Sequence, residues 1–128
     1  MKQEEIRILI ADDLADWRVR VRSILEAHPN WKVFEACDGV EAVEKAELLS
    51  PDIVILDIGM PRMNGVEAAK MIRRRSSNSK IIFLTGIGDA EFGNATLVET
   101  GAVGYLSKTK ASEIPRVVEA ALHDGNSP

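Results

Sequence analysis

The chain has 128 residues, 45% of them hydrophobic and 28% charged, which suits one globular domain with a real core and is too short for two. With 16 basic against 20 acidic residues its formal charge is -4, so it lacks the broad basic face that binds nucleic acid, and any DNA contact would need another domain. A single cysteine, Cys37, excludes an internal disulfide framework, no apolar stretch reaches the ~18 residues of a membrane span, and the polar start MKQEE is unlike a signal peptide. A soluble, cytoplasmic domain without membrane contact is expected.

The first apolar run, IRILIA (6–11), reads as a strand that stops in acid at Asp12 and Asp13. Beyond it Leu14, Trp17, Val21, Ile24, Leu25 and His28 recur at helical spacing, and Pro29 marks the end of that helix. WKVFEA (31–36) is the second strand. In DGVEAVEKAELLS, Asp38 stands three residues before Glu41 as a helix-starting capping box, and in NGVEAAKMIRRR the pair Asn64 and Glu67 repeats the arrangement. Between these helices DIVILD (52–57) is continuously apolar up to its last residue, as is KIIFLT (80–85) after its first, the pattern of strands covered on both faces. SSNS (76–79) is a polar turn. Asp89 is expected to cap a fourth helix holding Phe92, Leu97 and Val98, weakened by Gly93 and Thr96. AVGYLS (102–107) is the fifth strand, and Ser112 is expected to cap the last helix, with Pro115 in the first turn where a missing N–H costs little.

Strand and helix therefore alternate five times, with loops too short for anything but right-handed crossovers. The expected fold is α/β: an open, doubly wound parallel sheet between two helical layers. In such sheets functional groups gather beyond the carboxyl ends of the strands. There the sequence puts Asp12 and Asp13 after strand one, Asp57 ending strand three, Thr85 ending strand four, and Lys108 just after strand five.

Taken singly, each has an ordinary explanation as a cap, a turn former or a solvated loop residue. Taken together they complement one another. Three carboxylates repel unless a cation joins them, and a hard divalent ion such as Mg²⁺ prefers oxygen ligands. With such an ion bound, one carboxylate can attack a phosphoryl group while Lys108 and the Thr85 hydroxyl hold its oxygens. Cancelled charge is what makes that attack feasible.

ILIADD, DIVILDIGMPRMNG, IIFLTG and GAVGYLSK together resemble the receiver domain of bacterial two-component response regulators, from Ile6 to about Leu122. The resemblance implies a flavodoxin-like (βα)5 fold with strand order 2-1-3-4-5. It also implies that Asp57 is the phosphoacceptor, that Asp13, Asp57 and the Gly59 carbonyl bind Mg²⁺ directly, and that Asp12 does so mainly through water. Lys108 would contact the phosphoryl group, and Thr85 with Tyr105 would form a switch pair. By residues alone Tyr105 is a half-buried strand aromatic, and Trp17 and Trp31 are packing residues. Thr109 stands where the family often has a cis-proline, so a trans 108–109 peptide is expected. Positions 59 and 87, here Gly and Ile, vary in the family and tune phosphoryl lifetime.

The first helix, GAVGYLSKT and the tail ALHDGNSP are most similar to the LuxR/NarL-type subfamily, in which a helix-turn-helix output domain follows. The implied organisation is a receiver over 1–124 and the start of a linker at 125–128. Implied partners are a sensor histidine kinase, DNA only through an output domain, and a second copy through the helix 4, strand 5, helix 5 face or through an output domain. Docking through Arg18 or Arg22 is a minority alternative to a solvated helix surface, and a stand-alone receiver is the alternative for the whole chain. A phosphatase using an aspartyl-phosphate is disfavoured because Gly59 stands where such enzymes place a general acid. A dinucleotide site fails because GIGDAE has Glu91 in place of the third glycine.

Overall fold

The structure is a computed structural model and describes residues 5–86 and 94–124. Five parallel strands, β1 (Ile6–Ala11), β2 (Trp31–Ala36), β3 (Ile53–Asp57), β4 (Lys80–Thr85) and β5 (Gly104–Ser107), pair in the order β2-β1-β3-β4-β5. The helices are α1 (Ala15–Glu26), α2 (Gly39–Leu49), α3 (Gly65–Arg75), α4 (Asn94–Thr100) and α5 (Ile114–Asp124). A 3-10 helix, Lys108–Glu113, leads into α5. This is the expected doubly wound sheet with its implied strand order.

Alternate residues of each strand serve opposite faces, so the sheet divides two cores. Ile8, Ile10, Ile55, Ile82 and Leu84 pack beneath Val21 and Leu25 of α1 and Ile114 and Val118 of α5. Leu9, Val54, Leu56, Ile81 and Phe83 pack beneath Val43, Ala46, Ala68, Ala69 and Ile72 of α2 and α3. The central strand β3 is buried at every position, which explains its unbroken apolar run.

Local signals start two helices where expected. The Asp38 carboxylate accepts the Glu41 N–H at 2.8 Å, and Asn64 accepts that of Glu67 at 3.0 Å. The Glu41 carboxylate reaches back to the N–H of Cys37, one residue before the cap.

Elsewhere the chain departs from the expected pattern. Helix α1 begins at Ala15, with Leu14 extended and 57% exposed at its N-cap, because the Asp12 carboxylate takes the Leu14 N–H at 2.9 Å and turns the chain there. His28 lies beyond the helix and stacks on Trp31, with ring centroids 4.1 Å apart. Asp52 stays outside β3, its carboxylate accepting the Arg7 N–H. Ser112 lies inside the 3-10 helix and not at the start of α5; that 3-10 helix has its own cap in Ser107, whose side chain accepts the Thr109 N–H. Pro115 does fall in the first turn of α5. In α4, Leu97 packs on the core while Val98 is 82% exposed; Asp89, Phe92 and Gly93 lie outside the described residues. Ser76 and Ser79 are buried and share a hydrogen bond of 2.7 Å, so SSNS is not a fully solvated turn. No described peptide is cis, so 108–109 is trans.

Candidate functional site

The parallel register sets the site. Ala11 of β1 pairs with Leu56 of β3, so the chain leaves β1 into Asp12 and Asp13 at the level where β3 ends in Asp57. Thr85 ends β4 opposite Ser107 of β5, which puts Lys108 one step further along the same edge. Asp12, Asp13 and Asp57 each offer an oxygen within 4.8 Å of the others. The Lys108 ammonium lies 2.7 Å from Asp12 Oδ2 and 3.7 Å from Asp57 Oδ2. Thr85 is 1% exposed at the floor, and Tyr105 is half-buried on β5 against the core shared with Phe83.

Burial of Asp57, together with the neighbouring Asp12 carboxylate, pushes its pKa above the ordinary carboxylate value, and Lys108 offsets part of the rise. Three carboxylates against one ammonium leave an excess of two negative charges when all are ionised. That charge, carried on hard oxygens and open on the side of exposed Asp13, suits a divalent cation such as Mg²⁺.

The loop after Asp57 is tightly held. Gly65 donates to the Ile58 carbonyl at 2.8 Å, and a Cβ on Gly65 would collide with the Asp57 carbonyl oxygen. A Cβ on Gly39 would collide with the Met63 carbonyl, so the loop lies directly on the start of α2. Arg62, at φ 65°, pairs through Nε with Asp38 at 3.1 Å. Gly59 is exposed within this braced loop.

Three residues near the site were not assigned these places by the sequence. Arg18 donates to the Asp12 carbonyl at 2.7 Å and to Glu35 at 2.9 Å, and Arg22 reaches the same Glu35 at 2.7 Å. Arg18 thus braces the acidic loop. Trp17 packs on the α1 and α5 core as expected, and its ring also faces Lys108, with the centroid 5.2 Å from Nζ.

A doubly wound sheet of this strand order carries three acids and a lysine together at its carboxyl edge. The family model for the response regulator receiver domain matches residues 8–119, and the chain belongs to that family, the receivers of two-component response regulators. It is 43% identical over 118 residues to the transcriptional regulatory protein LiaR of Bacillus subtilis, covering 91% of this chain and 56% of LiaR. It is 38% identical to a protein-glutamate methylesterase/protein-glutamine glutaminase of Thermotoga maritima, covering 88% of this chain and 33% of that protein. The chain therefore spans about half or less of these relatives. Among solved structures, the response regulator domain of Thermotoga maritima CheB matches with a TM-score of 0.81 and 34% identity, covering 98% of this chain and 99% of that one. A LuxR-family two-component response regulator from Aurantimonas sp. SI85-9A1 matches with 0.87 and 31%, covering 94% and 87%. No described helix is long and apolar enough to cross a membrane.

Proposed function

We propose that this domain is a switch thrown by phosphorylation of Asp57, with Asp12, Asp13, Asp57 and the Gly59 carbonyl holding Mg²⁺. The carrying observation is that three carboxylates and Lys108 meet at one sheet edge. The ion, when bound, cancels charge between the attacking carboxylate and the phosphoryl oxygens. Asp57 attacks phosphorus; its new O–P bond forms as the donor's bond breaks, N–P in a phosphohistidine or O–P in acetyl phosphate, and the leaving group takes that electron pair. Lys108, already within 3.7 Å of Asp57, follows the phosphoryl oxygen with its ammonium. The Thr85 hydroxyl binds another oxygen, and Tyr105, one strand over, responds to its movement.

The donor in this reading is a histidine kinase in the cytoplasm. The chain gains and loses a phosphoryl group without turning over a separate substrate. Residues 1–124 form the receiver and 125–128 begin a linker. The likeness to LiaR, a transcriptional regulatory protein, supports a DNA-binding output carried by another domain, and the likeness to the methylesterase supports an enzymatic output domain as the second reading. A second copy would pair through α4, β5 and α5 or through the output domain.

The test is acetyl phosphate with and without Mg²⁺, read by intact mass. One added phosphoryl group, dependent on Mg²⁺ and absent in Asp57→Asn, is expected. An undiminished gain in Asp57→Asn would refute the assignment.

A further inference from the structure

Lys108 has more conformational freedom to lose than any other group in the site. A lysine ammonium is a point charge on a flexible four-carbon stem, and fixing it costs rotamer entropy. Here the side chain is only 18% exposed and its Nζ stands 2.7 Å from Asp12 and 3.7 Å from Asp57. Another wall is Trp17, whose ring centroid lies 5.2 Å from the same nitrogen, inside the ~6 Å range of a cation–π attraction.

Resting on the phosphoacceptor reading above, we propose that Trp17 is the positioning residue for Lys108, holding its ammonium at the carboxylates before the phosphoryl group arrives. The ring is itself placed by packing on the core between α1 and α5, and its Nε1 has no hydrogen-bond partner among the described residues. No directional bond ties the indole to a second task. An aromatic face also suits a cation that must travel. On phosphorylation Nζ has to leave Asp12 for an oxygen on Asp57. A carboxylate wall would trap it by a directional ion pair, whereas the ring attracts it over a range of positions. Arg20 lies over the same ring at 5.6 Å and makes no ion pair among the described residues, so it is a natural control.

The experiment follows acetyl phosphate labelling with Mg²⁺ by intact mass for Trp17→Leu, Trp17→Phe and Arg20→Ala, with Trp17→Leu also made in Lys108→Ala. Trp17→Leu should lower the rate constant about five- to tenfold, Trp17→Phe less than about threefold, and Arg20→Ala not measurably. With Lys108→Ala already present, Trp17→Leu should add no further loss. A wild-type rate in Trp17→Leu, or an equal loss with and without Lys108, overturns the inference, the second result marking a merely structural residue. Wild-type protein that takes no phosphoryl group sinks the functional reading as well, so the two failures are distinguishable. Should Trp17→Leu not fold, a Trp31→Phe protein leaves Trp17 as the sole indole. Its emission should then change when Lys108→Ala is introduced, and identical spectra overturn the inference.

Discussion

Gly65→Ala tests how tightly the phosphoacceptor loop is built. The added methyl would collide with the Asp57 carbonyl oxygen and lie 2.9 Å from Ile58 Cα and 3.0 Å from the Asp57 carbonyl carbon. Ordinary carbon contacts are about 3.5–4.0 Å, all three partners are backbone, and the carbonyl oxygen is the nearest of them, so the loop must move by about 1 Å or more. Overpacking of this kind costs about 1–3 kcal/mol, and the better helix propensity of alanine returns little at the first helical position. At about 2.1 cal/mol/K per residue, a 128-residue chain unfolds with an entropy near 0.27 kcal/mol/K, so Tm should fall by about 4–11 °C. The shift also displaces Asp57, and misplacement by about 1 Å can cost 100-fold in rate, so labelling by acetyl phosphate should slow by at least about tenfold. Gly59→Ala is the paired control. Its Cβ would meet nothing within 4 Å, and among the described glycines only Gly101 has positive φ, so Tm should stay within about 2 °C. Circular dichroism melts and mass-resolved labelling read both quantities. Equal Tm and rate in Gly65→Ala and wild type would refute the packing argument.

Asp38→Ala removes the α2 cap and the Arg62 pair together; because Arg62 is exposed, the loss should be near that of a cap alone, about 1–2 kcal/mol by urea denaturation. Mg²⁺ should stabilise the wild type by about 1.4 kcal/mol at tenfold its Kd, and Asp13→Asn should abolish most of that gain, both read by scanning calorimetry. The Glu35 carboxyl is held below its ordinary value of 4.5, first by the Arg22 hydrogen bond and also by Arg18. Its folded pKa is therefore lower than its unfolded one, so its contribution is complete above about 4.5 and disappears as pH falls through the folded value. Glu35→Gln should accordingly melt lower than wild type at neutral pH, with the gap closing in acid; a gap constant from pH 7 to 3 would contradict that sign.

Much of this architecture was legible as local pattern. A strand buried on both faces has to be apolar throughout, so IVIL and IIFL announced the middle of the sheet. A capping residue acts within one turn of itself, so Asp38 and Asn64 marked the starts of α2 and α3 from four residues of sequence each. The same locality misled at Ser112, which falls inside a 3-10 helix that Ser107 caps, two residues short of the start of α5. It misled again at Leu14, which stands extended outside α1, and at Val98, which lies in α4 but faces solvent.

The sequence by itself determined which residues stand at the strand ends, and their kinds were enough to suggest a divalent ion and a phosphoryl group. Only the tertiary structure decided how they meet. Because β1 lies beside β3, Asp12, Asp13 and Asp57 fall within one ion's reach; because β5 closes the edge, Lys108 comes to Asp12 first and Asp57 second, with Trp17 behind it. Side-chain periodicity and capping act over a turn of chain, whereas contacts between residues 45 or 96 positions apart depend on the order in which whole strands pack.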